Sequence, residues 1–316
     1  MTFVRMAGRL SRTPGGFLGN PPGVRSHYCI LSPLMTRIFL LIFFTAPGAG
    51  AAGALEASLD PAEVRQGEVL RVEVRAAEAE APLEILLGER LFPLYPVGSK
   101  RLRALLGFTV KASSGAMELR VLRKDRPGEV LKTLAFELRG KDFGKQNLSL
   151  PPDKASLPDR PDAGKALGEI RAALAVHTPL QRWKGLFRLP VEKGRKSSSY
   201  GHSRTLNKTK AWDWHKGIDI AAPESAPVFA PNDGVVALAA HYPVQGGVVV
   251  LDHGQGVLSA FLHLKTVSVE PGAEVAKGGL LGKIGSHGFS TGPHVHWGVY
   301  VHGDAVDPEA WLTREF

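Results

Sequence analysis

Two stretches of this chain carry strand-like patterns: apolar and polar residues largely alternate at a two-residue period in the first, and short apolar runs fall between turn residues in the second. In the first, about residues 55–150, the segments VLRVEVRA, PLEILLG, ERLFPLYP, RALLGFTVKA, AMELRVLR and LKTLAFELRG recur with turn residues between them. That spacing predicts a small antiparallel β-sandwich, immunoglobulin-like in general shape. In the second, residues 186–316, the apolar runs Val235–Ala239, Val248–Leu251 and Val257–Leu264 are separated by Gly, Pro, Asn and Asp. They predict a compact antiparallel sheet domain, so the fold class is mainly all-β. PNDG at 231–234 and GGL at 278–280 are tight-turn signals. GQGVLSA belongs to a hairpin, and no phosphate-binding glycine loop is present. Residues 151–185 begin as a Pro/Asp linker and continue into an Asp-initiated amphipathic helix near 162–177, expected to pack between the two domains.

The N-terminus bears on compartment. Residues 1–34 are basic and irregular, and a second start-like Met35 then opens MTRIFLLIFFTAPGAGAAGA. Arg37 supplies a positive start, Ile38–Phe44 a short apolar core, and Ala52-Gly53-Ala54 a small-residue cleavage site. The core is well short of the roughly 20 apolar residues that span a bilayer. The reading is translation from Met35, a signal peptide ending at 54, and an exported chain beginning at Leu55, in the periplasm or cell envelope or secreted.

Export changes the charge balance. The whole chain has 39 basic and 30 acidic residues, a net charge of +9. Five of the arginines and none of the acids lie in 1–54, which leaves 34 against 30, or +4. A mild positive balance suits an anionic partner and is too weak to argue for nucleic acid; basic–aromatic interleaving of the single-strand-binding kind is absent as well. The single cysteine, Cys29, falls in the removed segment, which excludes a disulfide, a thiol nucleophile and a lipid-anchoring cysteine from the exported chain.

Candidate chemistry is concentrated in five residues of the C-terminal third. His215 and Asp219 stand in WHKGID, His263 in FLHL, and His294 and His296 in GPHVHWG. Read as strands, HKGIDI puts His215, Gly217 and Asp219 on one face, and HVHWGVYV puts His294 and His296 on another. A catalytic zinc takes three protein ligands and leaves a position for water. Two His and one Asp meet that count and leave one His of the HxH pair free. The remaining histidines, His263 and one of 294/296, are then candidates for proton transfer and oxyanion stabilisation. The other histidines, 241, 253, 287 and 302, read as turn or surface residues, His253 in a hairpin turn and His287 in a glycine-rich loop.

From about Pro190 to Trp311 the chain resembles the lysostaphin-type (LytM) zinc metallo-endopeptidases, a family of peptidoglycan hydrolases. The resemblance is carried by YGHSR, HKGIDIAAPESAPVFAPNDGVV, VVVLDHGQGVLSAFLHL and VEPGAEVAKGGLLGKIGSHGFSTGPHVHWGVYVHGDAVDP, in the family's order. It implies a duplicated hybrid-motif β-fold, Zn2+ held by His215, Asp219 and His296, and a catalytic pair His263 and His294. It also implies peptidoglycan peptide stems or cross-bridges as the partner. Trp297-Gly298 replaces a frequent Phe-Glu and Ala260-Phe261 a frequent Tyr-Ala; neither touches a ligand. The alternative within the family is a non-catalytic activator of another cell-wall hydrolase. Tyr200 and Arg204 of YGHSR are candidates for lining the substrate groove, with a structural salt bridge the other reading of Arg204. The segment 55–150 resembles the N-terminal β-domain of longer members.

Overall fold

Alternating burial builds the N-terminal half. The structure, a computed structural model, describes residues 55–75 and 82–316; the expected signal at 35–54 lies outside them. Strands β1 (Glu56–Asp60), β2 (Glu63–Arg65), β3 (Val69–Arg75), β4 (Leu83–Leu87) and β5 (Arg90–Pro93) come first. Then follow β6 (Tyr95–Gly98), β7 (Arg101–Gly107), β8 (Gly115–Arg123), β9 (Val130–Arg139) and β10 (Lys145–Leu148). One sheet has the order β1-β3-β7-β6 and a second β2-β9-β8-β4-β5. Leu70, Val72 and Val74 of β3 share an apolar cluster with Ile85, Leu119, Val121, Phe136 and Leu138 of the other sheet. This is the expected sandwich. Alternation did not mark the short strands β1, β2 and β10.

Helix α1 (Pro152–Ala155) and a single 3₁₀ turn precede α2 (Ala163–Leu174). The buried face of α2, Ala163, Ala166, Ile170, Ala173 and Leu174, has the spacing of one helical stripe. Asp162 does not cap the helix; its carboxylate instead takes the guanidinium of Arg160. Ile170, Ala173 and Leu174 join the C-terminal core, so the helix lies on the C-terminal domain and not between the two halves as the sequence suggested.

The C-terminal half runs through β11 (Arg195–Ser198), β12 (Ser203–Leu206), β13 (Lys210–Trp214), β14 (Ile218–Ala221), β15 (Pro227–Phe229) and β16 (Gly234–Tyr242). It continues with β17 (Gly246–Gly254), β18 (Val257–Val267), β19 (Glu274–Val275), β20 (Leu280–Ile284), β21 (His294–Val301), β22 (Asp304–Val306) and α3 (Ala310–Thr313). The main sheet has the order β11-β14-β21-β18-β17-β16-β19, antiparallel at each step. Val248, Leu251, Phe261, Trp297 and Val299 are wholly buried in its core.

The two halves belong to one compact unit. Strand β10 lies before the expected linker, yet it pairs in parallel with β12 of the C-terminal half. At Gly107 a Cβ would come within 2.9 Å of Val306 and 3.2 Å of Val301, so β7 meets the C-terminal sheet backbone-close. Buried Arg103 donates to the Phe316 carbonyl at 2.8 Å and to Gln181 at 2.9 Å across the same contact.

Two histidines expected at turns or on the surface are core residues. His253 is wholly buried; its ring nitrogens meet the Asp233 carbonyl at 2.7 Å and the Ser259 hydroxyl at 2.8 Å. The turn after it is made by Gln255 and Gly256. His302 is stacked on His177 and lies edge-on to Phe92. Burial pushes both imidazoles down to about 4, helped at His302 by His177 and Arg90. Unfolded imidazoles titrate near 6.5, so between about pH 6.5 and pH 4 the unfolded chain binds more protons than the native one. Stability is therefore complete above pH 6.5 and falls as pH drops toward 4, by an amount on the order of 3 kcal/mol for each ring. Urea unfolding of the metal-free chain at a series of pH values should show this loss. A flat free energy over that window would mean that the two rings titrate normally.

Candidate metal centre

Register brings the five candidates together. In the β14–β21 pair Asp219 stands directly opposite His296, and Ala221 opposite His294. Strand β18 flanks β21 on the other side, with Leu262 opposite His296 and His263 next along. His215 is not in a strand, as alternation had suggested; it sits in the turn between β13 and β14. The turn is tight because a Cβ on Gly217 would lie 2.3 Å from the Trp297 carbonyl oxygen. Only glycine lets this backbone lie against β21 and carry His215 over the sheet.

Three donor atoms converge there. His215 Nε2 is 2.9 Å from Asp219 Oδ1 and 2.9 Å from His296 Nδ1, and His296 Nδ1 is 3.0 Å from Asp219 Oδ1. All three residues are buried. His215 Nδ1 lies 2.7 Å from the Ser199 carbonyl, which can only accept, so that nitrogen carries the proton. Nε2 then turns its lone pair toward the carboxylate oxygen. Two electron-rich atoms at this distance repel unless a cation lies between them. Metal–ligand bonds of about 2.0–2.1 Å at tetrahedral angles separate ligand atoms by about 3.3 Å, so a small shift seats an ion in this triad. Neutral imidazole with one carboxylate is a donor set suited to zinc and its first-row neighbours, and unlike the all-oxygen cages of Ca2+ or Mg2+.

Electrostatics keep the donors in ligand form. Burial alone would raise the Asp219 carboxyl, but the charge and hydrogen bonds that His215 and His296 offer it when they take up a proton outweigh burial, so the carboxyl is held well below the usual carboxylate range. Arg204 adds to this: its guanidinium donates to Asp219 Oδ2 at 2.6 Å, leaving Oδ1 for the triad. Burial pushes His215 and His296 below the ordinary imidazole value, so both stay neutral at pH 7.

His263 and His294 form the second pair, with ring centroids 4.8 Å apart. His294 Nδ1 meets the Gly292 carbonyl at 2.8 Å and His263 Nδ1 the His287 carbonyl at 3.1 Å. In both rings Nε2 is left as the basic nitrogen; that of His294 is 3.8 Å from Asp219 Oδ1. Burial lowers both, His263 further because His294 and His296 are close. His263 has φ +65°, in the left-handed region. Around it Gly247 pairs with Leu264 while Val249 pairs with Phe261, so β18 carries an extra residue there. This bulge re-aims the side chain out of the strand's alternation.

Two expectations change. Tyr200 does not line a groove: it is 4% exposed, and its hydroxyl donates to the Ala305 carbonyl at 2.7 Å. Its aromatic body fills the contact with the N-terminal half, against Phe143. Arg204 makes the salt bridge of its second reading, with Asp219 as the partner. Its Nε donates to Gln146 of β10 at 2.8 Å, and nothing in the sequence singled out Gln146.

Residues 213–308 match Peptidase family M23. The C-terminal domain is an M23 peptidase domain. All five candidates fall inside that match. The M23 region is similar to peptidoglycan DD-endopeptidase ShyA of Vibrio cholerae, 37% identical over 121 residues, which are 38% of this chain and 28% of that protein. It is also similar to DD-carboxypeptidase/endopeptidase Mpg of Neisseria meningitidis, 37% identical over 126 residues, 40% of this chain and 29% of that protein. The chain thus matches less than a third of the length of these relatives. A crystal structure from Pseudomonas aeruginosa described as a peptidase M23 has 27% identity and a TM-score of 0.59. It covers 82% of this chain and 97% of its own, so the likeness extends beyond the M23 domain into the N-terminal half.

Proposed function

We propose that the chain is a zinc-dependent endopeptidase that cuts peptide cross-links of bacterial peptidoglycan in the cell envelope. The observation that carries this reading is a complete donor triad, His215, Asp219 and His296, beside two neutral histidines with basic Nε2 atoms. When bound, zinc supplies Lewis acidity, polarising the scissile carbonyl and making water a nucleophile near neutral pH. His263 and His294 accept a proton from the attacking water and return it to the leaving amine. The ring that is protonated donates a hydrogen bond toward the developing oxyanion. Arg204 fixes which oxygen of Asp219 turns inward. The DD-endopeptidase relatives support peptidoglycan as the substrate class, and the signal-like segment 35–54 supports export.

The alternative is a non-catalytic activator of another wall hydrolase; an intact triad with its histidine pair counts against it. Purified full-length exported chain, beginning at Leu55 and loaded with zinc, should release un-cross-linked muropeptides from isolated sacculi. A chelator should stop release and added zinc restore it, with mass spectrometry naming the bond cut. A zinc-loaded chain that releases nothing, yet stimulates a wall amidase, would establish the activator reading.

A further inference from the structure

The segment that leaves the N-terminal sandwich crosses the metal centre before it reaches the C-terminal domain, and it touches the centre at two points. The first is Gln146 in β10. Its side-chain oxygen accepts from Arg204 Nε at 2.8 Å and from the Ser198 hydroxyl at 2.8 Å. Arg204 also donates through Nη2 to Ser198 Oγ at 3.0 Å and to Asp219 Oδ2 at 2.6 Å. A guanidinium is a planar fork, so fixing Nε from one side fixes the direction of Nη2 on the other. Gln146 therefore sets the plane in which Arg204 presents its donor to Asp219. The parallel pairing of β10 with β12 places Gln146 opposite Arg204 itself, so backbone register and side-chain bond agree.

The second point is Lys154 of α1. Its ammonium donates to the Ser286 carbonyl at 3.0 Å and to the Ser290 carbonyl at 3.0 Å. The loop that runs from Ser286 through Ser290 to Gly292 supplies the groups that orient both proton-transfer histidines. The His287 carbonyl accepts from His263 Nδ1, and the Gly292 carbonyl, with Ser290 Oγ nearby, holds His294 Nδ1. Lys154 thus ties the two sides of a glycine-rich loop whose carbonyls decide which nitrogen of each ring is basic.

We propose that residues 145–154 are a working part of the M23 site: Gln146 is a positioning residue for the ligand Asp219, and Lys154 is a positioning residue for His263 and His294. The inference rests on the zinc-peptidase reading above. Because the two contacts serve different halves of the site, their loss has different signatures. Partners one layer out from a metal ligand change metal affinity by about 10–100-fold, and Gln146 stands one layer further. Gln146→Met, which keeps the length and removes the oxygen acceptor, should weaken zinc binding roughly 3–10-fold. Gln146→Glu keeps an acceptor at the same reach and should hold zinc at least as tightly as wild type. Lys154→Met should leave zinc affinity and KM unchanged and lower kcat several-fold, and Lys154→Arg should recover most of it.

The test uses the full exported chain, with zinc affinity measured by competition against a chelating indicator and turnover on isolated sacculi, each beside a thermal melt. If Gln146→Met and Lys154→Met match wild type in both readouts, the inference is overturned while the zinc-peptidase reading stands. It is also overturned if Gln146→Glu and Lys154→Arg are as impaired as the Met variants, since the side chains would then be filling space. Wild-type chain that takes up no zinc would overturn the zinc-peptidase reading and this inference with it.

Discussion

Replacing His296 with alanine should empty the metal site and abolish activity, whereas replacing His294, two residues away on the same strand face, should leave the metal in place. The contrast follows from geometry. His296 Nδ1 lies 2.9–3.0 Å from the other two donors, and its loss removes a third of the protein ligand set. His294 Nε2 stands 3.8 Å from Asp219 Oδ1, and its Nδ1 is committed to the Gly292 carbonyl. The His296→Ala chain should contain little zinc after purification. It should also melt at a lower temperature than the loaded wild type, because a metal that binds only the native state stabilises it by mass action. His294→Ala and His263→Ala should keep near-stoichiometric zinc and lose about 10²–10⁴-fold in rate, the range for a missing general acid or base. Metal analysis of the three variants beside sacculus clearing decides the matter. Zinc retained by the His296 variant and lost from the His294 variant would exchange their roles.

Gly217→Ala should be nearly as damaging without removing any ligand. The added carbon would lie 2.3 Å from the Trp297 carbonyl oxygen and 2.9 Å from the Gly298 Cα. Both are backbone atoms of β21, which is buried along its whole length and cannot yield as a flexible side chain would. The turn must therefore lift away from β21. Overpacking costs of about 1–3 kcal/mol are a lower bound where the obstacle is backbone. Because the turn carries His215 and leads into β14, which holds Asp219, zinc affinity should fall along with the melting temperature. A Gly217→Ala chain with wild-type stability and zinc content would show that the turn has room to relax.

Much of this centre is legible in the sequence because a β-strand converts spacing into direction. HVHWG on a strand must put both imidazoles on one face, and β21 does so. The predominance of β-strands and the helix near 162–177 are legible for the same reason: burial repeats at a fixed period. What is not legible depends on partners far along the chain or on broken periodicity. His215 lies in a turn, and the rule that assigned it a strand face has no bearing there. His253 reads as a turn residue because glycines follow it, yet Ser259 and Asp233 provide the polar partners that let it be buried. Tyr200 reads as a groove residue because it adjoins the motif, but its hydroxyl meets Ala305, a contact more than a hundred residues away. Gln146 carries no signal in the sequence, since its importance arises only when β10 is laid beside β12. Arg204 gave half a signal, a charged residue upstream of the ligands with two readings.

The bulge at His263 has a consequence for how this domain can evolve. A residue other than glycine held in the left-handed region costs on the order of 1 kcal/mol or more of folding stability, and glycine or asparagine would occupy the same backbone with less strain. If His263 transfers protons as proposed, selection for a tougher fold pulls position 263 toward residues that cannot exchange a proton, while selection for turnover pulls it back to histidine. Such a conflict at a single position gives a lineage that has stopped cutting an easy path to a sturdier scaffold.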